Sequence, residues 1–335
     1  MMLLRKILFP IVPAYYLITS FRNKLYDLNI LKAKSFDIPV ICVGNLSVGG
    51  TGKSTMIEYL FRLLQKENRV AVLSRGYKRK TSGFILGVDG VKVEDLGDEP
   101  YQFKSKFSDI LVAVDTDRQH GIEQLMSLKN SPDIILLDDG YQHRKVKAGL
   151  NILLTPFSKL YVDDFLLPTG DLRESKRGAK RADIVIVTKC PVGLKEEEKI
   201  NIEKKLNLKR NQKLYYSSIS YDESIYNNKS GKLLEKLKDQ KFTLVTGIAN
   251  SKPLVDYLTS KDFNFEHLNY KDHYNFKAKD IEKFRKRDLI LTTEKDYMRL
   301  KDKVEASKLF YLPIRAEISN KDEFNEFIKQ FVIKF

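Results

Sequence analysis

Lys53 and Ser54 close a glycine-rich run, Val43 to Glu58, that reads "VGNLSVGGTGKSTMIE". Successive backbone N–H groups in such a turn can converge on phosphate oxygens. Gly49, Gly50 and Gly52 give the backbone the freedom to come close to them. A lysine at position 53 would reach the β- and γ-phosphates of a nucleotide, and the Ser54 hydroxyl would serve a Mg²⁺ ion. The run departs from the usual Walker A pattern at one place, because Ser47 stands where the first glycine is expected. The candidate nucleotide-binding set is therefore Ser47, Val48, Gly49, Gly50, Thr51, Gly52, Lys53 and Ser54. Ser47 marks a loop entry that does not need a glycine conformation.

A second stretch, "IILLDDGYQHR", is an apolar run ending in Asp138 and Asp139. A carboxylate at the end of such a strand holds Mg²⁺ beside a phosphate loop. The same pair could cap a turn before Gly140; beside a phosphate loop the metal reading is preferred. Three loops carry further polar residues. "LGDEPYQ" presents Asp98 and Glu99, "VDTDRQHG" presents Asp115, Asp117 and Arg118, and "LLPTGDLRES" presents Arg173. The arginines could clamp phosphate in bidentate fashion. A carboxylate could take a proton from an attacking hydroxyl. Of the four histidines, His143 follows Asp139 closely and His273 lies in "YKDHYNF".

These residues need a scaffold that gathers strand ends. "IPVICVGN", "RVAVLSRG", "DILVAV", "DIILLDDG", "LNILLT" and "IVIVTK" are short, nearly unbroken apolar runs alternating with helical stretches. Such runs are strands covered on both faces, so the fold class is α/β, with a doubly wound parallel sheet in an αβα sandwich. A helix is expected from Lys53 to about Lys66. "KEEEKINIEKKLNLKRNQK" reads as a solvated helix and "SISYDESIYNNKSGK" as a linker or hairpin. A second, smaller αβα set starts at "KFTLVTGIAN". The last helix carries an apolar stripe at Phe324, Phe327, Ile328, Phe331, Val332 and Phe335, with the spacing of a core face. The expected divisions are 1–35, an amino-terminal helix; 36–215, the phosphate-loop core; and 216–335, a carboxyl-terminal αβ domain.

The 335 residues suffice for two cores, and 42% hydrophobic content excludes wholesale disorder. A formal net charge of +15 suggests an anionic partner, although solubility alone would also account for it. Zinc-finger, RRM and KH signatures are missing, so no nucleic-acid partner is expected. Cys42 and Cys190 are too few and too far apart in sequence for a disulfide framework. "LLRKILFPIVPAYYLITSFRNK" flanks an uncharged stretch with Arg5, Lys6, Arg22 and Lys24. The stretch is shorter than the roughly 20 residues that span a bilayer, and its pattern suits a helix lying on a membrane surface or one packed on the protein's own core, which periodicity alone does not separate.

Taken in order, "VGNLSVGGTGKS", "LSRGY", "GDEP", Asp117–Arg118, "LDDGYQHR", "LLPTGDLRE", "VTK", "DHY" and "TTEKD" resemble the tetraacyldisaccharide 4'-kinase family over nearly the whole chain. The resemblance implies ATP and Mg²⁺ and transfer of phosphate to the 4'-hydroxyl of a lipid disaccharide 1-phosphate in lipid A biosynthesis. It implies two αβα domains flanking a cleft. It also implies a place at the cytoplasmic face of the bacterial inner membrane, held there by the amino-terminal helix; a monomer is expected, although the sequence does not show the oligomeric state. Asp98 matches the proposed base and His273 its paired histidine. Lys53, Ser54, Asp138 and Asp139 match nucleotide and metal positions. Glu99, Arg118 and Arg173 match other active-site positions. Ser54-Thr55 replaces the commoner Thr-Pro, yet the hydroxyl is kept. A P-loop GTPase-type switch is the alternative; it would want Asn-Lys-x-Asp, and Thr188-Lys189-Cys190-Pro191 keeps only the lysine.

Overall fold

The structure is a computed structural model that describes residues 9–107, 109–228, 230–272 and 274–335. His273, expected to pair with Asp98, lies outside the described residues. The chain forms two compact units, 1–219 with 316–335 and 220–315.

The first unit is built on a sheet with the order β15-β8-β7-β6-β1-β5-β2-β4-β3 among the described residues. Its strands are β1 (Val40–Asn45), β2 (Val70–Ser74), β3 (Ile85–Leu86), β4 (Leu111–Val114), β5 (Ile134–Asp138), β6 (Leu150–Pro156), β7 (Ile184–Cys190) and β8 (Lys213–Tyr221), with β15 (Ile314–Ile318) beside β8. The run from β8 to β4 is parallel, and β3 is antiparallel to β4. Every residue of β1 is buried. Val40 and Cys42 point into one apolar cluster and Ile41 and Val43 into the other, the period-2 pattern of a strand covered on both faces. The Ile41 face packs against α2 (Lys53–Leu64) through Met56, Leu60 and Phe61. The Cys42 face packs against α5 (Arg118–Met126) through Ile122 and Leu125, and against α6 (Glu196–Leu206) through Ile202 and Leu206. Cys42 and Cys190 are buried and free.

Two short helices precede α5, α3 (Val93–Leu96) and α4 (Asp98–Lys106). The amino-terminal helix α1 runs Val12–Asp27, with a proline in its first turn, where a missing N–H costs nothing. Tyr26 is buried and Val12, Tyr15, Thr19, Asn23 and Leu25 are half-buried, while Leu17, Ile18 and Phe21 are each about two-thirds exposed at 65%, 70% and 65%. Among the described residues, no helix is long and apolar enough to cross a membrane.

The second unit has the sheet order β10-β9-β14-β13-β11-β12 among the described residues. It uses β9 (Ser224–Tyr226), β10 (Gly231–Leu233), β11 (Phe242–Thr246), β12 (Phe265–Asn269), β13 (Ile290–Thr293) and β14 (Leu309–Leu312). The expected hairpin appears as antiparallel β9 and β10. Leu244 of β11 faces α7 (Lys252–Ser260), and Val245 faces α8 (Ala278–Arg285) and α9 (Glu294–Leu300), so this unit too is layered.

One boundary differs from the sequence expectation. The last helix, α10 (Lys321–Ile333), was expected in the second domain, yet it belongs to the first unit. Phe324 and Ile328 are fully buried in the cluster that holds Ile41 and Val43. Phe324 meets the rings of Tyr59 and Tyr215 edge-on at 5.8 and 5.1 Å. From Phe324 to Val332 the apolar stripe is a core face, as its spacing implies, while Phe335 follows the helix and is 54% exposed; spacing does not say which core the stripe covers.

Candidate active site

The carboxyl ends of the parallel strands in the first unit share one edge of the sheet, where the glycine-rich loop leaves β1. Val43 lies in register with Asp138, and Asn45 with Leu154. This is where open α/β sheets place their ligands. Gly49 and Gly52 take φ of 107° and 91°, a region that favours glycine. Gly52 is the residue before α2, so the helix's free N–H groups open directly onto the loop. Ser47 is not among the positive-φ residues and instead bridges Leu172, while the Val48 N–H donates to the Asp171 carbonyl at 2.8 Å. The loop entry is thus pinned by the 164–174 segment and needs no glycine.

Lys53 Nζ lies 3.4 Å from Asn45 Oδ1 and 3.6 Å from the Asp139 carboxylate. Arg173 donates twice to Asp139, at 3.0 and 2.8 Å, and also to Asn45 Oδ1. Burial alone would raise the Asp139 carboxyl; the Arg173 hydrogen bonds and the Lys53 and Arg173 charges overcome it and hold it at about 2. Asp138 behaves in the opposite way. It is almost wholly buried, its Oδ2 accepts from Ser74 at 3.1 Å, and its Oδ1 has no partner. Burial, with the charges of Glu99 and Asp139, pushes its carboxyl up to about 7. A buried carboxylate oxygen without a partner is the position a divalent cation would occupy. One or two carboxylates beside nucleotide phosphates is the way Mg²⁺ is usually held. Among the described residues, no group of three or more acidic, His or Cys side chains could hold a metal ion.

Arg118 does not have the geometry of a phosphate clamp. It is 2% exposed and donates to the Asp115 carbonyl and, at 3.4 Å, to the Asp138 carbonyl. It ties the end of β4 to the end of β5 and so fixes Asp138. Burial lowers it to about 10, against the charges of Asp138 and Asp139, so it remains cationic at neutral pH. Asp98 and Glu99 open α4 immediately after Gly97, whose φ is 88°. Glu99 is close enough for its charge to act on Asp138. Burial, then the charges of Arg118 and Arg75, lowers His143 to about 4, leaving it neutral near pH 7.

Four more residues complete the loop's surroundings. Asn45 is buried and joins Lys53, Arg173 and the Ser47 carbonyl. Thr188 donates its hydroxyl to the Thr51 carbonyl at 2.8 Å, and Lys189 donates to the Gly50 carbonyl. Glu174 accepts from Arg181 at 2.8 and 2.9 Å. All four lie in stretches that the sequence had already marked, "VGN", "VTK" and "LRES". Asn45 meets Arg173, Thr188 meets Thr51 and Lys189 meets Gly50 across more than a hundred residues, and spacing does not show such contacts.

A model of the tetraacyldisaccharide-1-P 4'-kinase family matches residues 4–333. The chain belongs to this family. It is 52% identical over 336 residues to the tetraacyldisaccharide 4'-kinase of Flavobacterium johnsoniae, covering 99% of this chain and 98% of that one. It is 45% identical to the corresponding protein of Bacteroides fragilis over 351 residues, covering 98% and 93%. A crystal structure of the family member LpxK from Aquifex aeolicus in complex with ATP superposes with a TM-score of 0.83 at 30% identity, covering 98% of this chain and 99% of that one. This membership decides for a lipid A kinase over a P-loop GTPase switch.

Proposed function

We propose that this protein transfers the γ-phosphoryl group of ATP to the 4'-hydroxyl of a tetraacyl disaccharide 1-phosphate, with Mg²⁺ as cofactor. The observation that carries the site assignment is the buried, partnerless Oδ1 of Asp138 at the strand edge from which the Lys53 loop springs. Asp138 and the Ser54 hydroxyl would hold the cation, which neutralises charge on the β- and γ-phosphates. The N–H groups of Gly49 to Ser54 cradle the phosphates, and Lys53 places its charge on them. Asn45 and Asp139, at 3.4 and 3.6 Å, hold Lys53 at the loop. Asp98, at the start of α4, takes the proton from the sugar hydroxyl, which is otherwise a poor nucleophile. His273 is assigned as its partner on the sequence pattern alone.

The exposed apolar side chains of α1 support a membrane-surface role. A helix that turns Leu17, Ile18 and Phe21 outward gains nothing from water and much from acyl chains. We place the protein as a monomer on the cytoplasmic face of the inner membrane, where ATP and the lipid acceptor meet. The test is transfer from γ-labelled ATP to a tetraacyl disaccharide 1-phosphate and to its delipidated sugar. Label in the lipid acceptor, with far less in the bare sugar, is expected. No label in either, from protein that binds ATP, overturns the kinase reading.

A further inference from the structure

Helix α1 is bonded to the segment that carries Arg173. Tyr15 Oη donates to the Arg173 carbonyl at 2.7 Å, and Asn23 Nδ2 donates to Glu174 Oε2 at 2.9 Å. Two consecutive residues of the 173–174 segment are therefore held from one helix, the first by its backbone and the second by its side chain. Glu174 is 3% exposed. Its Oε1 accepts from Gln142 at 3.1 Å, and the same Gln142 amide donates to the Asn45 carbonyl at 2.8 Å. Arg173 in turn holds Asn45 and Asp139, the two groups beside Lys53. The helix itself is fixed at its far end. Arg144 donates to the Asn23 carbonyl and to Asp27, both at 2.6 Å.

We propose that Asn23, with Tyr15, is a positioning residue for phosphoryl transfer, acting through Glu174 on Arg173 and the Lys53 environment. The proposal rests on the kinase reading above. Its physical basis is that Asn23 supplies one of the donors to a buried carboxylate. A buried carboxylate that loses a donor shifts or drags its backbone to recover one. The adjacent Arg173 then moves relative to Asp139.

The test uses the full-length protein in mixed micelles of the lipid acceptor. Asn23→Ala is expected to lower kcat by about ten-fold, the kinetic equivalent of one charge-assisted hydrogen bond. ATP affinity, lipid KM and sedimentation with anionic vesicles should stay within about two-fold, since the outward apolar face is untouched. Asn23→Asp should fall further, because it sets a carboxylate against Glu174. Tyr15→Phe, which removes only a hydroxyl, should lower kcat several-fold. In a Glu174→Gln background the effect of Asn23→Ala should shrink to under about two-fold, because the two act in series. Hydrogen exchange over residues 170–178 should quicken in Asn23→Ala, a readout that needs no turnover. The proposal is overturned if Asn23→Ala and Tyr15→Phe both keep wild-type kcat. It is equally overturned if the loss lies wholly in lipid KM and vesicle binding, or if the Asn23 and Glu174 effects simply add. Wild-type protein that binds ATP but labels no lipid acceptor would instead remove the kinase reading itself.

Discussion

Thr188 offers a sharp test of how the phosphate loop is held. Its side chain is 3% exposed, and its hydroxyl lies 2.8 Å from the Thr51 carbonyl and 3.4 Å from the Thr155 carbonyl. One proton serves one acceptor well, and the shorter contact goes to Thr51. A trans peptide sends the Thr51 C=O and the Gly52 N–H in opposite directions. Anchoring the carbonyl toward β7 therefore turns the Gly52 N–H the other way, into the cradle. Thr188→Val keeps the shape and removes the donor. Withdrawing a hydrogen-bond partner from a buried acceptor costs about 1–3 kcal/mol. That cost is divided between the stability of the free protein and the affinity for nucleotide, according to how far the loop turns away to find another donor. If about 1–2 kcal/mol falls on binding, the Kd for ATP rises between about 5- and 30-fold. Calorimetric titration with ATP and thermal melts of the free protein measure the two shares. Thr188→Ser should retain most of both. A Thr188→Val protein that binds ATP within two-fold of wild type and melts at the same temperature would refute the reasoning.

Other expectations follow from single contacts. Asp98→Ala should lower turnover strongly while leaving ATP affinity nearly unchanged, and near-normal turnover would remove it as the base. A Cβ at Gly44 would sit 2.5 Å from Tyr141 Cβ, so Gly44→Ala should destabilise the first unit by about 1–3 kcal/mol in denaturant melts. Phe324→Ala empties a fully buried ring site, and in residue-resolved hydrogen exchange the loss of protection should appear in β1 and α2 and not in β11. The Asp139 carboxyl is held below its ordinary 3.8, at about 2, so its stabilising effect is complete above pH 3.8 and fades as pH falls toward 2. Arg173→Met should therefore open a stability gap on the order of 1 kcal/mol at pH 6 in the nucleotide-free protein, after allowance for solvent screening. Urea melts should show the gap narrowing through that acid window.

Much of the scaffold was legible because a buried parallel strand has nowhere to put a charge. β1, β2, β4, β5, β6 and β7 stand out as apolar runs for that reason, and the glycine-rich turn announces the strand edge that matters. Lys53, Asp138 and Asp139 followed from chemistry at that edge. What failed to show were facts of long-range packing. Arg118 looked like a phosphate ligand because it sits in a polar loop, yet it lies sealed between two strand ends. Helix α10 displayed its stripe but not its destination, and the domain boundary drawn at 216–335 gave way to a unit of 220–315. Glu174 sits inside "LLPTGDLRES" with nothing in the pattern to mark its role, since its partners Asn23, Gln142 and Arg181 converge only in space.

The account depends most on where a triphosphate sits. A crystal structure with a non-hydrolysable ATP analogue and Mg²⁺ should place the terminal phosphate against the N–H groups between Gly49 and Ser54, with the cation on Asp138 Oδ1 and the Ser54 hydroxyl. A triphosphate bound elsewhere, or a cation that leaves Asp138 Oδ1 untouched, would contradict it.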